Sequence, residues 1–186
     1  MILFINACPR EGSRTKRLAL ALLDTLGEYR EIELSEEKLP PLDGVRLARR
    51  TRYIEARDYS DEMFRWAKEF AAADEIVIAA PFWDLTFPAL LKIYLENIYV
   101  TGLVSEYDES GRPCGLCRAK KLWYVTTAGG ALDTRFGFEY VRSLAQFCFG
   151  IEETELVKAE LLDIAGNDAE AILRDAIEII KRRETR

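Results

Sequence analysis

At 186 residues the chain suits a single domain spanning 1–186 and needs no second core; a domain this size buries roughly 70% of its unfolded surface. Its net charge of −6 excludes a general nucleic-acid binder, which needs a basic surface for phosphates, and leaves room only for local basic pockets. It contains no histidine, which removes the commonest general base, the Ser-His and Cys-His nucleophiles and histidine metal sites, so any chemistry rests on other side chains or on a cofactor.

Met1 to Ile5 reads as a first buried strand. Asn6 stops this apolar run well short of a signal peptide's apolar region or a membrane span, so no membrane association and a cytoplasmic location are the expectation. A loop of small and hydroxyl residues follows. From Lys16 the spacing of Leu18, Leu22, Leu23 and Leu26 marks one face of a helix that Gly27 ends. A strand, such a loop and a helix start make an anion site, because free N–H groups and the helix dipole favour a phosphate. Ser13 and Thr15 would add hydroxyls, and Arg14 or Arg10 a charge. Beside this stands the plainer reading that Ser13 only caps the helix. Neither GxxxxGK[ST] nor GxGxxG is present, which weighs against a nucleotide-triphosphate enzyme and a dinucleotide fold.

Residues 30–34 alternate as a short second strand at an edge. Residues 35–58 are irregular, with room for a short helix over 45–51, and carry arginines at 46, 49, 50, 52 and 57. These suit a solvated basic face, or a lid or dimer arm that brings positive charge to an anionic substrate. Residues 60–73 form a helix with Met63, Phe64, Ala67 and Phe70 on its apolar stripe.

Ile76 to Ala80 is a short β-branched run that stops at Pro81, as suits a strand buried on both faces of a parallel sheet. The following Pro81-Phe82-Trp83-Asp84-Leu85 is too aromatic for an ordinary surface loop. Thr86 is placed to cap the next helix and Pro88 to enter its first turn; Leu90, Leu91, Tyr94, Leu95, Ile98 and Tyr99 mark the buried face.

Residues 105–118 are a second irregular connection. Lys121 to Thr127 is a fourth strand, ending in Ala128-Gly129-Gly130, where paired glycines allow a turn or the close approach of a ligand. Residues 136–149 are helical, with Tyr140, Val141, Leu144, Ala145, Phe147 and Cys148 mostly inward. A fifth strand over 155–161 and an amphipathic helix over 169–181 close the chain, with Lys181, Arg182 and Arg183 where the helix dipole favours cations.

Five strands alternating with five helices are an α/β chain: a doubly wound five-stranded parallel sheet, order 2-1-3-4-5, with helices on both faces. The loops after strands 1, 3 and 4 then gather at one sheet edge, where open sheets bind ligands.

These residues resemble the flavodoxin-like NAD(P)H-dependent oxidoreductases, which include FMN-dependent azoreductases and quinone reductases. The strongest likeness runs from Ala80 through Lys92 and is similar to the family's loop beside the isoalloxazine with its following helix. Tyr107 to Leu116 resembles a segment near the dimer interface, and Thr126 to Gly130 a third flavin-contacting loop. The resemblance implies that Ser13, Arg14 and Thr15 hold the FMN phosphate. Pro81, Phe82, Trp83 and Asp84 would flank the ring, and Thr127, Ala128, Gly129 and Gly130 close its other edge. Phe82, Trp83, Phe136 and Tyr107 are the expected substrate contacts. The azoreductase branch commonly has Asn where this chain has Asp84, and Ala128 replaces a polar or charged residue of some relatives. A carboxylate at position 84 near the ring would disfavour an anionic reduced flavin or accept the ring N3 proton. The resemblance further implies FMN as cofactor, NADH or NADPH as cosubstrate, a quinone, azo compound or other flat acceptor, ping-pong exchange through one pocket, and a homodimer. The flavin carries the chemistry, so no catalytic side chain is expected, which suits a chain without histidine.

Cys114-Gly115-Leu116-Cys117 has the spacing of a redox pair or half a zinc site. It is a single pair, opens no helix after a strand and has no histidine to complete it, so no metal is expected and the thiols are expected reduced. Two rivals share the fold: an electron-transfer flavodoxin and a flavin-free binding module. The Phe82-Trp83 loop and the long 35–58 connection favour the enzyme over the shuttle, which needs an exposed flavin edge.

Overall fold

Alternating apolar runs and amphipathic helices produce, in the computed structural model, which describes residues 1–183, the following order. It runs β1 (Ile2–Asn6), α1 (Arg14–Leu26), β2 (Tyr29–Glu33), α2 (Gly44–Glu55), a 3-10 turn (Glu62–Phe64) and α3 (Arg65–Ala72). Then come β3 (Glu75–Ala79), α4 (Ala89–Ile98), β4 (Ser105–Tyr107), β5 (Pro113–Gly115), β6 (Lys121–Thr127) and α5 (Phe138–Ser143), which continues as a π segment (Leu144–Phe149). β7 (Glu153–Ala159) and α6 (Ala169–Arg183) follow. The main sheet has five strands in the order β2-β1-β3-β6-β7, all parallel, which is the expected 2-1-3-4-5 topology with β2 at an edge.

Strand pleating sends successive side chains to opposite faces, and each face has its own core. Ile76 and Ile78 of β3, with Leu122 and Tyr124 of β6, face α3, α4 and α5. Val77 and Ala79, with Trp123 and Val125, face α1 and α6. Because the central strands are covered on both sides, they are apolar throughout rather than alternating.

Several expectations are corrected in detail. Thr86 does not cap α4: the N-cap is Pro88 with no side-chain cap, and the Thr86 hydroxyl donates instead to the Phe136 carbonyl at 2.6 Å. The helix expected over 45–51 is longer, and the one expected over 60–73 begins as a 3-10 turn. The connection 105–118 holds an antiparallel hairpin, β4–β5. β7 lies two residues earlier than the strand read at 155–161.

The largest change is at residues 144–149. A π turn is wider than 3.6 residues, so positions placed inward by α-helical spacing rotate outward. Phe147, expected to be buried, is 67% exposed and Cys148 is half-buried. The segment's end packs on β5, where a Cβ at Gly115 would collide with the backbone of Phe149 and Gly150. Phe149 stays buried and meets Phe70 edge to face at 5.1 Å between centroids, joining α3 to the π segment.

Truncating that contact should be costly. Phe70→Ala is expected to lower unfolding stability by about 3–5 kcal/mol, the range for a buried aromatic, as read by urea denaturation.

Candidate functional site

The sheet's hydrogen-bond ladder runs on past the strand ends into the loops. Ala7 N–H donates to Ala79 O (2.8 Å), Ala80 N–H to Val125 O (2.9 Å), Phe82 N–H to Thr127 O (3.0 Å) and Ala128 N–H to Ala159 O (3.0 Å). These bonds hold the loops after β1, β3, β6 and β7 side by side. Between them lies a cleft of about 320 Å³.

Its polar end is the start of α1. Ser13 accepts from Lys16 N–H at 3.3 Å, so it does cap the helix, and Ser13 N–H donates to Arg10 O. The amides of Arg14 and Thr15 have no intrahelical acceptor, as in any first turn, and both residues line the cleft. Thr15, buried, shares a 2.6 Å hydrogen bond with the buried hydroxyl of Thr127, which ties the helix start to the end of β6. Arg10 and Arg14 add positive charge. Helix dipole, open amides and guanidinium groups together make an anion-binding end.

Its apolar wall is the loop after β3. Trp83 N–H donates to Thr86 O and Thr86 N–H to Trp83 O, both at 2.8 Å, which closes a two-residue turn over Asp84 and Leu85. Both turn residues have positive φ, +48° and +70°. Such a turn requires φ > 0 at both central positions, usually supplied by Asn-Gly, and a branched residue there is strained. The turn persists because Phe82 and Thr86 are pinned at its base. It holds Trp83, 40% exposed, as an apolar surface beside the cleft.

Of the residues singled out in the sequence, Ser13, Arg14, Thr15, Pro81, Phe82, Trp83, Thr127, Ala128 and Gly129 line this one cleft. Four others do not. Asp84 is exposed on the turn, Gly130 lies beyond the lining, and Phe136 reaches the region through its carbonyl bond to Thr86. Tyr107 sits on the β4–β5 hairpin, exposed. The arginines of α2 are also elsewhere. Arg46 donates to Asn97 and Arg50 to the Glu96 carbonyl, at the end of α4 opposite Trp83.

Leu162 and Asp163, from the loop after β7, line the cleft and were not read from the sequence. The order 2-1-3-4-5 was the available signal, since it puts the loop after the fifth strand beside that after the fourth.

The cysteines do not converge. Cys114 is exposed on β5, whereas Cys117 is buried with its sulfur 3.7 Å from Val104 O. Among the described residues no group of three or more Cys, Asp or Glu is arranged to hold a metal. No helix there is long and apolar enough to cross a membrane. Burial pushes the thiols of Cys8 and Cys117 up to about 12; for Cys8 a hydrogen bond with Ser13 acts the other way.

The family description of the flavodoxin-like fold matches residues 1–183. An FMN-dependent NADH:quinone oxidoreductase of Coprothermobacter proteolyticus is 32% identical, the match covering 95% of this chain and 94% of that protein. FMN-dependent NADH:quinone oxidoreductase 2 of Clostridium acetobutylicum is 41% identical over 68% of this chain and 64% of its own length, so the chain spans under two thirds of that relative. Among solved structures, an azoreductase from Bacillus anthracis superposes with a TM-score of 0.83 at 25% identity, covering 98% of this chain and 97% of that one. An FMN-dependent NADH-azoreductase from the same species, in complex with FMN, has the same fold: TM-score 0.80, 21% identity, 99% and 97% covered.

Two expectations follow from the geometry. Leu85→Gly relieves a left-handed conformation and should raise stability by about 0.5–1 kcal/mol in urea denaturation, strain relief exceeding glycine's entropy cost. At pH 8, with a pKa near 12, only about one Cys8 or Cys117 thiol in ten thousand is ionised, so a maleimide should label Cys114 and leave those two until urea is added.

Proposed function

The chain belongs to the family of the flavodoxin-like fold, and from that premise we propose that it is a single-domain FMN-dependent NAD(P)H oxidoreductase. It would pass a hydride from the nicotinamide to a quinone, azo compound or similar flat acceptor by ping-pong exchange. The observation that carries this reading is the two-ended cleft, with an anion-binding end at the start of α1 and an aromatic wall at Phe82 and Trp83.

The residues present suit FMN. A phosphate needs amides, hydroxyls and positive charge, and Ser13, Arg14 and Thr15 bring all three to one end. A flat ring needs an apolar surface with small residues opposite, and the cleft offers Trp83 and Phe82 with Ala128 and Gly129. Ser13, Arg14 and Thr15 would therefore hold the phosphate; Pro81, Phe82 and Trp83 would flank the ring; Thr127, Ala128 and Gly129 would close its far edge. Bound FMN supplies the hydride acceptance and donation that the side chains cannot.

The protein's share is position. The pinned turn keeps the Trp83 indole in place before any ligand arrives, so a flat substrate meets a preformed surface. NADH is the favoured cosubstrate, because the similar proteins of Coprothermobacter proteolyticus and Clostridium acetobutylicum are named for NADH. A homodimer belongs to the proposal. Val45, Tyr107, Phe136 and Phe147 are large apolar side chains left in solvent, and a second apolar groove lies between α4 and α5, lined by Leu95, Tyr99, Tyr140 and Leu144.

The test is the visible spectrum of the protein mixed with FMN, before and after anaerobic NADH. Flavin bands that bleach support the reductase. Bands that persist with both nicotinamides point to an electron shuttle, and a protein that binds no flavin overturns the proposal. Trp83→Ala should lower kcat/KM for a quinone by about tenfold, the worth of one aromatic stacking contact, when measured with the protein kept saturated with FMN.

A further inference from the structure

We propose that Asp163 is a counter-charge built into the phosphate end of the cleft, one that weakens the binding of phosphorylated flavin by occupying Arg14. The inference rests on the flavin reading above and assigns a role to a residue outside the three loops read from the sequence.

The loop after β7 is held rigidly over the cleft. Leu161 N–H donates to Gly130 O (3.0 Å), Leu162 N–H to Ala128 O (3.2 Å) and Asp163 N–H to Gly129 O (2.9 Å). Leu161 takes φ +65° to make this path, and its carbonyl accepts from the Asn167 side chain at 2.8 Å. Asp163 is thereby pressed against Gly129, where a Cβ would meet the carboxylate. Gly129 thus leaves the space that the Asp163 side chain occupies.

The carboxylate is aimed at one of the cleft's two arginines. Arg14 Nη1 donates to Asp163 Oδ1 at 2.8 Å, and both residues line the cleft. Of the other nearby cations, Arg10 lines the cleft with no ion pair among the described residues, and two have partners outside it. Arg17 makes two bonds to Glu170 (2.9 and 2.7 Å), and Lys16 reaches Glu31 and Glu33. Of the two arginines that line the cleft, Arg14 is the one paired with a carboxylate that also lines it.

A phosphate entering there competes with Asp163 for the Arg14 guanidinium and is repelled by the carboxylate. Asp163 therefore lowers affinity for a ligand with a phosphate and leaves one without it untouched. A plain surface ion pair would contribute only to stability and would not tell the two ligands apart. Arg14 and Asp163 are 38% and 68% exposed, so solvent screens the effect and keeps it to a few-fold.

The experiment measures flavin affinity of the apoprotein by fluorescence titration, with FMN and with riboflavin, which lacks the phosphate. The proteins are the parent, Asp163→Asn, Arg14→Ala and the double variant. Asp163→Asn keeps the side chain's size, and its riboflavin affinity reports whether the ring site is intact. The expected result is FMN binding about fivefold tighter in Asp163→Asn, unchanged riboflavin binding, and loss of the gain in the Arg14→Ala background. An FMN affinity that is unchanged or weaker in Asp163→Asn, or that shifts equally for both flavins, overturns the counter-charge and leaves the flavin reading standing. A parent protein that binds neither flavin overturns both.

Discussion

The structure depends on backbone hydrogen bonds that continue beyond the strands. In a parallel sheet the ladder is evenly spaced, and here it does not stop where the side chains stop being apolar. Ala7, Ala80, Phe82 and Ala128 each donate to the neighbouring strand's end, so four loops are drawn into one register. Loops are ordinarily the mobile part of a domain. These inherit the rigidity of the sheet, and the cleft between them is shaped by strand order rather than by any local motif. The Thr15–Thr127 hydroxyl pair adds a cross-link that ladder bonds cannot make, from helix start to strand end.

That rigidity lets the chain hold unfavourable backbone. Asp84, Leu85 and Leu161 all occupy the left-handed region, where a residue with a Cβ is penalised. Each lies in a loop pinned by the ladder, and each strained turn presents a cleft residue: Trp83 in one case and Asp163 in the other. Local strain of this kind persists only where surrounding structure over-determines it. Three of the four described non-glycine residues with positive φ thus lie in loops that the topology brings together, and the fourth, Arg57, lies after α2.

Most of the fold was legible because period and topology agree. The apolar runs at β1, β3 and β6, the amphipathic stripes and the single crossover helices leave few arrangements, and the strand order follows from handedness. The first-turn residues of α1 and the aromatic loop were legible too, since their residue types are unusual for where they stand. What escaped has identifiable causes. Thr86 looked like a cap because its spacing was right, but the Phe136 carbonyl is a nearer acceptor in space. Phe147 was misplaced because a π turn breaks the period on which inward and outward were decided. Asp163 was missed because nothing in residues 160–168 signals a site; its part depends on Arg14, which is 149 positions away in the chain.

The absence of histidine and the depth of Cys8 have one joint consequence for the chemistry. Ser13, Thr15, Phe82, Trp83 and Thr127 do not change protonation near neutrality, and burial holds the Cys8 thiol protonated up to about 12. A raised thiol pKa leaves the neutral form in place at every pH below it, so Cys8 is neither base nor nucleophile there. The apolar wall and the hydroxyls of the cleft thus present the same surface across the neutral range. In the proposed reaction, protons that accompany electron transfer would come from the bound partners or from water. On that reading the chain's contribution is a rigid, strained frame that would fix where those partners lie, and the charges at the start of α1 would set how firmly they are held.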